Sequence, residues 1–304
     1  MKLHHLRDFV AIAQARSLRG AARNLGLAQP ALTRSVRELE AELGAALLER
    51  HSRGVVLTPI GEAFLVRAHA AMEEVRRGRD EVAQLSGHLT GLVSIGVSSA
   101  ACLALLPQVY TPFRRLFPNV RLQIVEGFFR TLEPRLQDGS LDFFVGPRPE
   151  RQVGDSFHVE LLFYNERWVV GRRGHPLAKA STLAELIGAE WILTGVRERV
   201  ESEFEEVFTD NGLAPPRSIT QAESTIGVAV LLSTSDALAV LPRQWVDSPL
   251  LNHMIAPITI KEHFPGPDIV RISRARLPLT PAAEYMSTLM ERLAVSSAGA
   301  IQTG

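Results

Sequence analysis

Apolar residues near the N-terminus recur every three or four positions, a pattern that predicts three short helices. The apolar face of the first helix runs from Leu3 to Ala13. Ser17 is a good N-cap for the second helix, Gly26 ends it, and Pro30 suits the first turn of the third. The apolar faces of the second and third helices are Leu18, Ala21, Ala22 and Leu25, then Leu32, Val36, Leu39 and Leu43. Two helices joined by a short turn form a helix-turn-helix.

A long helix is predicted after Thr58-Pro59, a pair that supplies an N-cap and a first helical residue. Its apolar positions alternate spacings of four and three residues as far as about Ser86, which is the pattern of a coiled-coil seam. The seam consists of Phe64, Ala68, Ala71, Val75, Gly78, Val82 and Leu85. Because so thin an apolar stripe cannot form a core by itself, we expect it to pack on a partner, most economically the same helix of a second copy.

Beyond a hinge at 87–91 the pattern changes to short apolar strands that alternate with helices. The strands are predicted over 92–98, 120–127, 141–146, 159–173, 191–195, 218–222, 237–242 and 267–274, and the helices over 100–117, 131–137, 200–210 and 225–232. Such alternation with short loops implies an α/β fold with parallel sheets covered on both faces. The order suggests two lobes that the chain crosses near 160–165 and 265–270, with a C-terminal helix over 281–293 returning to the first lobe.

Charge adds a functional expectation to the helix-turn-helix. The whole chain is balanced, with 33 basic and 33 acidic residues, yet five arginines and no acidic residue lie between Phe9 and Arg37. A basic surface without acids suits phosphate contacts, so we expect this unit to bind double-stranded DNA in the major groove. The polar front of the third helix consists of Gln29, Thr33, Arg34 and Arg37, with Pro30 at the start of the helix. In the major groove Gln suits adenine and Arg suits guanine.

A second basic segment follows the helix-turn-helix. Arg50, His51 and Arg53 surround a Ser-Gly turn between short β-type runs, which predicts a two-stranded hairpin, or wing, beside the third helix. The tip of such a wing lies over the DNA backbone or minor groove, where arginine is favoured electrostatically, and Arg53 is the candidate contact. Taken alone, the segment is equally compatible with an ordinary polar turn.

Composition is that of an ordered globular protein. With 304 residues, 46% of them hydrophobic and 22% charged, the chain is long enough for two or three domains. The single Cys102 cannot form an internal disulfide, which fits a reducing compartment. The N-terminus does not have the pattern of a signal peptide, and no apolar run reaches the roughly 18 residues of a membrane span. We therefore expect a cytoplasmic protein.

Small polar and aromatic residues follow several of the predicted strands, where α/β sheets bind ligands and helix N-termini present free N–H groups. The candidates are Ser98, Ser99, Phe128, Phe129 and Arg148 in the first lobe and Gly195, Val196, Glu223, Ser224 and Thr225 in the second. Hydroxyl groups, backbone N–H groups and aromatic rings suit a small organic anion, such as an aromatic acid, better than a sugar or a metal ion. The serines could equally be helix caps, and Arg148 could be a surface charge. No cofactor and no metal are expected.

Two other functional classes stay open at this point. An α/β enzyme would need a catalytic or nucleotide-binding motif, and the chain contains no G-x-G-x-x-G, Walker loop, H-E-x-x-H or G-x-S-x-G. Its lone Cys102 lies in an apolar run, where a thiolate is disfavoured. A stand-alone small-molecule receptor with two similar lobes would need export and would not carry a DNA-binding unit.

Residues 21–50 read A-A-x-x-L-x-[LIV]-x-Q-P-A-[LV]-[ST]-x-x-[IV]-x-x-L-E-x-x-L-G-x-x-L-[FL]-x-R, and a short R-G-V-x-L-T-P-x-G segment follows as far as Gly61. This pattern closely resembles the N-terminal domain of LysR-type transcriptional regulators. Weaker similarity continues toward the C-terminus, for example in Glu126-Gly127. Leu48 stands where the family usually has Phe. Phe129 stands where it often has a small hydroxyl residue, which implies a more apolar pocket wall.

The resemblance implies a winged helix-turn-helix domain over 1–58, a linker and dimerisation helix over 59–90 and a two-lobed effector domain, like periplasmic binding proteins, over 91–304. The first lobe would span about 91–162 and 268–304, and the second about 163–267. The family also implies a homotetramer, a dimer of dimers, on an interrupted palindromic operator. Effector binding would change the DNA bend and the contact with RNA polymerase, and no enzymatic activity is expected.

Overall fold

Three helices and a β-hairpin form the N-terminal part of the chain. The structure is a computed structural model, and it describes residues 1–51, 54–194 and 197–301. Side chains are described throughout except at Arg50, 197–201 and 295–301. The elements are α1 (Leu3–Ala15), α2 (Leu18–Leu25), α3 (Gln29–Leu43), β1 (Leu48–His51) and β2 (Gly54–Leu57). Ser17 Oγ accepts a hydrogen bond from the Gly20 N–H at 3.2 Å, and Gly26 ends α2 with a φ of 65°. The predicted helix-turn-helix and its caps are confirmed.

The apolar faces of the three helices meet in a shared core. Phe9, Ile12, Leu32 and Leu39 are completely buried there, so α3 has a fixed orientation with its other face free. The β1–β2 hairpin is antiparallel, and the Val55 N–H at its second strand donates to the backbone oxygen of Arg16 at 3.0 Å. The hairpin is therefore held against the end of α1, and Val55 also packs in the cluster that contains Leu32 and Val36 of α3, beside which the wing was predicted.

The helix α4 (Pro59–Leu85) follows directly and is as long as the sequence indicates. Thr58 caps it, with its hydroxyl accepting from the Gly61 N–H at 2.9 Å. A Cβ on Gly61 would lie 2.0 Å from the carbonyl oxygen of Leu47, so only glycine allows α4 to approach the wing this closely. Phe64 and Ala68 pack into the N-terminal core, and the rings of Phe9 and Phe64 lie 5.6 Å apart.

The first lobe is built on a five-stranded sheet in the order β4-β3-β5-β13-β6. Its strands are β3 (Thr90–Val97), β4 (Asn119–Glu126), β5 (Phe143–Pro147), β6 (Phe157–Phe163) and β13 (Ile269–Arg274), and its helices are α5 (Ser99–Leu116), α6 (Phe129–Gln137) and α10 (Pro281–Ile301). Both faces of the sheet are covered. Phe143 and Val145 point toward α5 and α10, whereas Phe144 between them packs with Phe129 and Leu136 of α6.

The second lobe contains a six-stranded sheet, in which the path β11-β7-β10-β8-β9 is joined by β12 pairing with β7. Its strands are β7 (Glu166–Arg172), β8 (Trp191–Leu193), β9 (Ile219–Gln221), β10 (Leu238–Pro242), β11 (Ile255–Ile258) and β12 (Phe264–Pro265), and its helices are α7 (Arg197–Asp210), α8 (Thr225–Thr234) and α9 (Arg243–Asp247). Trp191 and Phe208 are buried on one face, and Val228 and Trp245 on the other.

The prediction of purely parallel sheets is wrong. Among the strands that the structure describes, pairing is parallel only between β3, β4 and β5 and between β8, β9 and β10. The strands β6, β7, β11, β12 and β13 all pair antiparallel, and they include the strands that flank the two crossings between lobes. A chain that leaves one lobe along a strand and returns along another must run in opposite directions in the two, so the crossings force antiparallel pairing.

In the part of the chain that the structure describes, no helix is both long enough and apolar enough to cross a membrane.

Candidate nucleic-acid interface and ligand cleft

The free face of α3 forms one continuous surface. An open concavity of about 740 Å³ runs along it, lined by Gln29, Pro30, Thr33, Arg34, Arg37, Glu38 and Ala41. Thr33 is half-buried, and Gln29, Arg34 and Arg37 are exposed. Five of the six predicted DNA-contacting residues therefore share one surface, whereas the sixth, Arg53, lies outside the described residues. Glu38 and Ala41 were not singled out from the sequence, although their helical spacing from Arg34 and Arg37 places them on the same face.

Much of the predicted seam on α4 is free, although its first residues are not. Phe64 and Ala68 belong to the N-terminal core, so the part of the seam prediction that includes them is wrong. The remaining members, Ala71, Val75, Gly78, Val82 and Leu85, are exposed. Val82 and Leu85 have 65% and 74% of their surface accessible. A continuous apolar stripe therefore remains on the C-terminal half of α4.

The opposite face of α4 is tied to the first lobe by a buried guanidinium group, that of Arg77. Its Nη2 donates to the carbonyl oxygens of Gly139 and Leu141 at 2.5 and 2.9 Å and lies 3.0 Å from Asp142 Oδ1. The other carboxylate oxygen of Asp142 accepts from the Ser94 N–H at 2.7 Å. Burial raises the pKa of Asp142, and the charge of Arg77 opposes that rise.

Two more polar residues of α4 extend this attachment. The carboxylate of Asp80 accepts from the Leu92 N–H at 3.2 Å. Gln84 donates to the Thr90 carbonyl oxygen at 2.9 Å and accepts from the Ala282 N–H at 2.9 Å. Because Arg77, Asp80 and Gln84 are spaced by three and four residues, they share one helix face. We call these three residues the clasp; it was not predicted from the sequence.

The predicted ligand residues of the first lobe differ in how available they are. Ser98 is buried and caps α5, its Oγ accepting from the Ala101 N–H at 3.3 Å, whereas Ser99 is half-buried at the first helical position. Phe128 is half-buried at the start of α6. Phe129 is only 5% exposed, with its ring 5.8 Å from those of both Phe144 and Phe157. Phe129 is thus a core residue of the lobe.

Arg148 directly follows β5, the central strand of the first-lobe sheet. Its backbone N–H donates to the Asp268 carbonyl oxygen at 2.7 Å, and its Nε is 3.8 Å from the Asp268 carboxylate. Nearly half of the side chain is exposed. Arg148 is therefore held beside the second crossing between the lobes, with a nearby carboxylate that partly balances its charge.

On the second lobe, Ser224 caps α8, with Oγ accepting from the Gly227 N–H at 3.2 Å. Glu223 is exposed, and Thr225 is the half-buried first residue of α8. Gly195 and Val196 lie outside the described residues. Leu103 of α5 packs against the second-lobe core around Val228 and Trp245, so α5 contributes to the contact between the lobes.

A carboxylate that the sequence analysis did not select faces this cleft. Glu126 is the last residue of β4, and its Oε1 accepts a hydrogen bond from the Thr225 hydroxyl on the other lobe. Burial raises the pKa of the Cys102 thiol, and the negative charge of Glu126 raises it further. The carboxylate is therefore near the first turns of α5. Its position at the carboxyl end of a parallel strand is the signal that could have identified it.

Among the described residues, no group of three or more His, Cys, Asp and Glu side chains could hold a metal ion.

Comparison with known proteins connects both parts of the chain to one group of regulators. The family of bacterial regulatory helix-turn-helix proteins, lysR family, matches residues 3–62, and the LysR substrate binding domain matches residues 86–294. The HTH-type transcriptional regulator PcaQ of Agrobacterium fabrum is 30% identical over 297 residues, which cover 96% of this chain and 94% of PcaQ. The HTH-type transcriptional regulator GbpR of Azospirillum brasilense is 30% identical over 246 residues, which cover 80% of this chain and 72% of GbpR.

The fold also has a solved counterpart. The crystal structure of CbnR, a LysR family transcriptional regulator, matches with a TM-score of 0.70 at 22% identity, over 97% of this chain and 99% of CbnR. At this identity the likeness concerns the fold, and it confirms an N-terminal helix-turn-helix followed by a two-lobed α/β domain. The matched families are DNA-binding regulators rather than enzymes, so the enzyme and stand-alone receptor alternatives no longer stand.

Proposed function

We propose that a small organic acid, bound between the two lobes, controls how the protein contacts its operator. The chain belongs to the LysR family of bacterial transcriptional regulators. The chain is a DNA-binding regulator with an effector-binding domain. The proposal adds the chemical class of the effector, the residues that contact DNA and effector, and the assembly that carries them. Since the regulator acts on DNA, we place it in the cytoplasm.

The observation that carries the DNA part is the free face of α3. Leu32, Val36 and Leu39 are buried on one side of the helix, which holds Gln29, Arg34 and Arg37 outward on the other. A helix presented in this way enters the major groove with its polar face against the base edges. Gln29 and Arg34 would read bases, with Pro30 and Thr33 shaping the start of the contact and Arg37 contacting base or phosphate. Arg53 of the wing would contact the backbone or minor groove.

The effector part rests on two helix N-termini that face the cleft. The first turns of α5 and α8 present backbone N–H groups, where an anion is favoured by the helix dipole. Ser98 and Ser224 already accept hydrogen bonds as caps, so Ser99 and Thr225 are the hydroxyls best able to bind an effector. Phe128 would lie against an aromatic ring, and Phe129 belongs to the core of the lobe. Arg148, Gly195, Val196 and Glu223 complete the proposed wall.

The assembly part rests on the apolar stripe of α4. Exposed Val82 and Leu85 need a partner surface, and a second α4 offers the same pattern. We propose that this pairing forms a dimer and that two dimers form a homotetramer on an interrupted palindrome. Effector binding would then alter the DNA bend and the contact with RNA polymerase.

The test of the DNA part is an electrophoretic mobility shift assay with duplexes selected from a random library by the purified protein. Arg34→Ala should weaken binding by about 1–3 kcal/mol, because an outward arginine loses its base or phosphate contact. Arg276→Ala, an exposed arginine in the effector domain, is the matched control and should bind like the wild type. Wild-type affinity for Arg34→Ala would contradict the assigned DNA-contacting face.

The effector part is tested by isothermal titration calorimetry of the full chain with small aromatic and aliphatic acids. Ser99→Ala should weaken the binding of the acid that binds best while leaving operator affinity unchanged. Binding of only neutral sugars or metal ions would refute the proposed effector class.

A further inference from the structure

Glu126 lies at the carboxyl end of a parallel strand, on the side of the sheet where the two lobes face each other. It ends β4, and its backbone partner across the parallel pair is Val97, directly before the start of α5. The adjacent Gly127 N–H donates to the Val97 carbonyl oxygen at 3.0 Å, which keeps the end of β4 beside that of β3. Ligands of open α/β sheets bind beyond these carboxyl ends. The exposed carboxylate of Glu126 therefore stands beside the first turns of α5, where the proposed acid would lie.

The partner of this carboxylate belongs to the other lobe. The Thr225 hydroxyl, 99 positions further along the chain, donates to Glu126 Oε1. Thr225 is the first residue of α8, so the hydrogen bond spans the cleft between two strand-to-helix turns. Because this hydroxyl reaches an exposed carboxylate across the cleft, a donor group on a ligand could take the place of the hydroxyl.

A ligand with only an acid group would be poorly matched to this cleft. The charge of Glu126 lies near the first turns of α5, because Glu126 pairs with Val97, the residue before the N-cap of that helix. Like charges in a partly closed cleft repel one another. An acid that also carries a hydrogen-bond donor avoids this conflict, because the donor turns Glu126 from a repelling group into an acceptor.

We infer that Glu126 determines effector specificity by accepting a hydrogen bond from an amino or hydroxyl group on the effector, so that the effector is an amino- or hydroxy-substituted organic acid. The inference rests on the proposed function, because it takes an organic acid as the effector class. In the bound state the acid group lies against the N-terminus of α5 and the donor group displaces the Thr225 hydroxyl from Glu126.

The test is isothermal titration calorimetry of the full chain with two matched series. One is benzoate with 4-hydroxybenzoate and 4-aminobenzoate, and the other is propanoate with its 2-hydroxy and 2-amino derivatives. In at least one series the wild type should bind a substituted acid about tenfold or more tighter than the parent acid, which corresponds to about 1.4 kcal/mol. Whether the hydroxy or the amino acid binds more tightly identifies the donor.

Two variants separate recognition by Glu126 from a simple attachment between the lobes. Glu126→Gln removes the charged acceptor, so the preference for the substituted acid should fall at least fivefold while the parent acid binds as well or better. Thr225→Val removes the inter-lobe hydrogen bond and keeps the charged acceptor, so the preference for the substituted acid over the parent acid should persist even where both acids bind more weakly. If the Glu126–Thr225 bond merely held the lobes together, the two variants would change the binding of every acid in the same direction.

Failure of the inference differs from failure of the proposed function. If parent and substituted acids bind the wild type equally, or if Glu126→Gln keeps the preference, the role of Glu126 is refuted and the acid effector stands. If no acid in either series binds while a sugar or a metal ion does, the proposed effector class is wrong and the inference is lost with it.

Discussion

The clasp between α4 and the first lobe provides the sharpest test of what holds the effector domain to the DNA-binding half. The change is Arg77→Met, which keeps the aliphatic volume of a side chain that is 5% exposed and removes its guanidinium group. The variant loses the hydrogen bonds to the Gly139 and Leu141 carbonyl oxygens and the ion pair with Asp142. It also leaves the Asp142 carboxylate, itself 2% exposed, without its cationic partner.

The stability lost in Arg77→Met depends mainly on the Asp142 carboxylate that is left without its cationic partner. Removing one partner of a buried ion pair costs about 3–5 kcal/mol, because a buried charge is left uncompensated. The double variant Arg77→Met with Asp142→Asn removes that charge, and Asn can still accept the Ser94 N–H through its amide oxygen. We therefore expect the double variant to be less destabilised than Arg77→Met alone.

The pH dependence of the penalty supplies an independent check. A carboxyl group whose pKa is raised in the folded state stabilises the fold most when it is protonated. This stabilisation is lost as the pH rises through the pKa of the group in the folded state. Burial raises the pKa of Asp142, and without Arg77 the pKa rises further. The difference between wild type and Arg77→Met should be largest near neutral pH and shrink as the pH falls toward the range where Asp142 binds a proton.

The measurement is urea denaturation followed by far-ultraviolet circular dichroism, with limited proteolysis to report release of α4. Arg79→Met, an exposed arginine on the same helix, is the matched control and should behave like the wild type. The reasoning would be refuted if Arg77→Met and Arg79→Met unfolded alike, or if the double variant were the least stable of all.

Two further predictions concern α4. Ala71→Glu places a charge on the exposed stripe and should impair dimerisation, as measured by light scattering. The control is Val66→Glu, at a residue exposed on another face of the helix, and it should leave the oligomer intact. An unchanged oligomer in Ala71→Glu would mean that the copies pair elsewhere. Gly61→Ala should lower the free energy of unfolding by about 1–3 kcal/mol or more, because its Cβ would lie 2.0 Å from the Leu47 carbonyl oxygen. At Gly20 of α2 a new Cβ would meet no atom closer than 3.5 Å, so Gly20→Ala should instead raise it by about 0.5–1 kcal/mol, since alanine is the better helix former. Equal unfolding midpoints for the two variants would contradict the close approach at Gly61.

Features that the sequence predicted correctly are those with a local cause. The caps at Ser17 and Thr58, the glycine that ends α2 and the basic front of α3 depend on residues within a turn of one another. Helical periodicity likewise records which face of a helix is buried, whatever lies beneath it. The helix-turn-helix, the long linker helix and the α/β character of the rest could therefore be predicted from residue spacing alone.

The ligand cleft could be predicted only in outline. The strand ends led to turns that lie beside the cleft between the lobes, yet Ser98 is a cap and Phe129 is a core residue. The sequence left Ser98 open as a cap but gave no sign that Phe129 is buried. A residue after a strand can cap, pack or face the cleft, and the choice depends on what packs against it. Glu126 was overlooked for the same reason, because its partner Thr225 is distant in sequence.

Residue order thus specifies the helices and strands and the chemistry of their exposed faces, since both follow from interactions over a few residues. The tertiary structure decided which elements meet: that the crossing strands pair antiparallel, that the start of the α4 seam is buried, and that Arg77 reaches Asp142 across 65 positions of the chain. A buried ion pair such as Arg77–Asp142 forms only where distant segments exclude water together. Such contacts between distant segments produce no periodic pattern in the sequence.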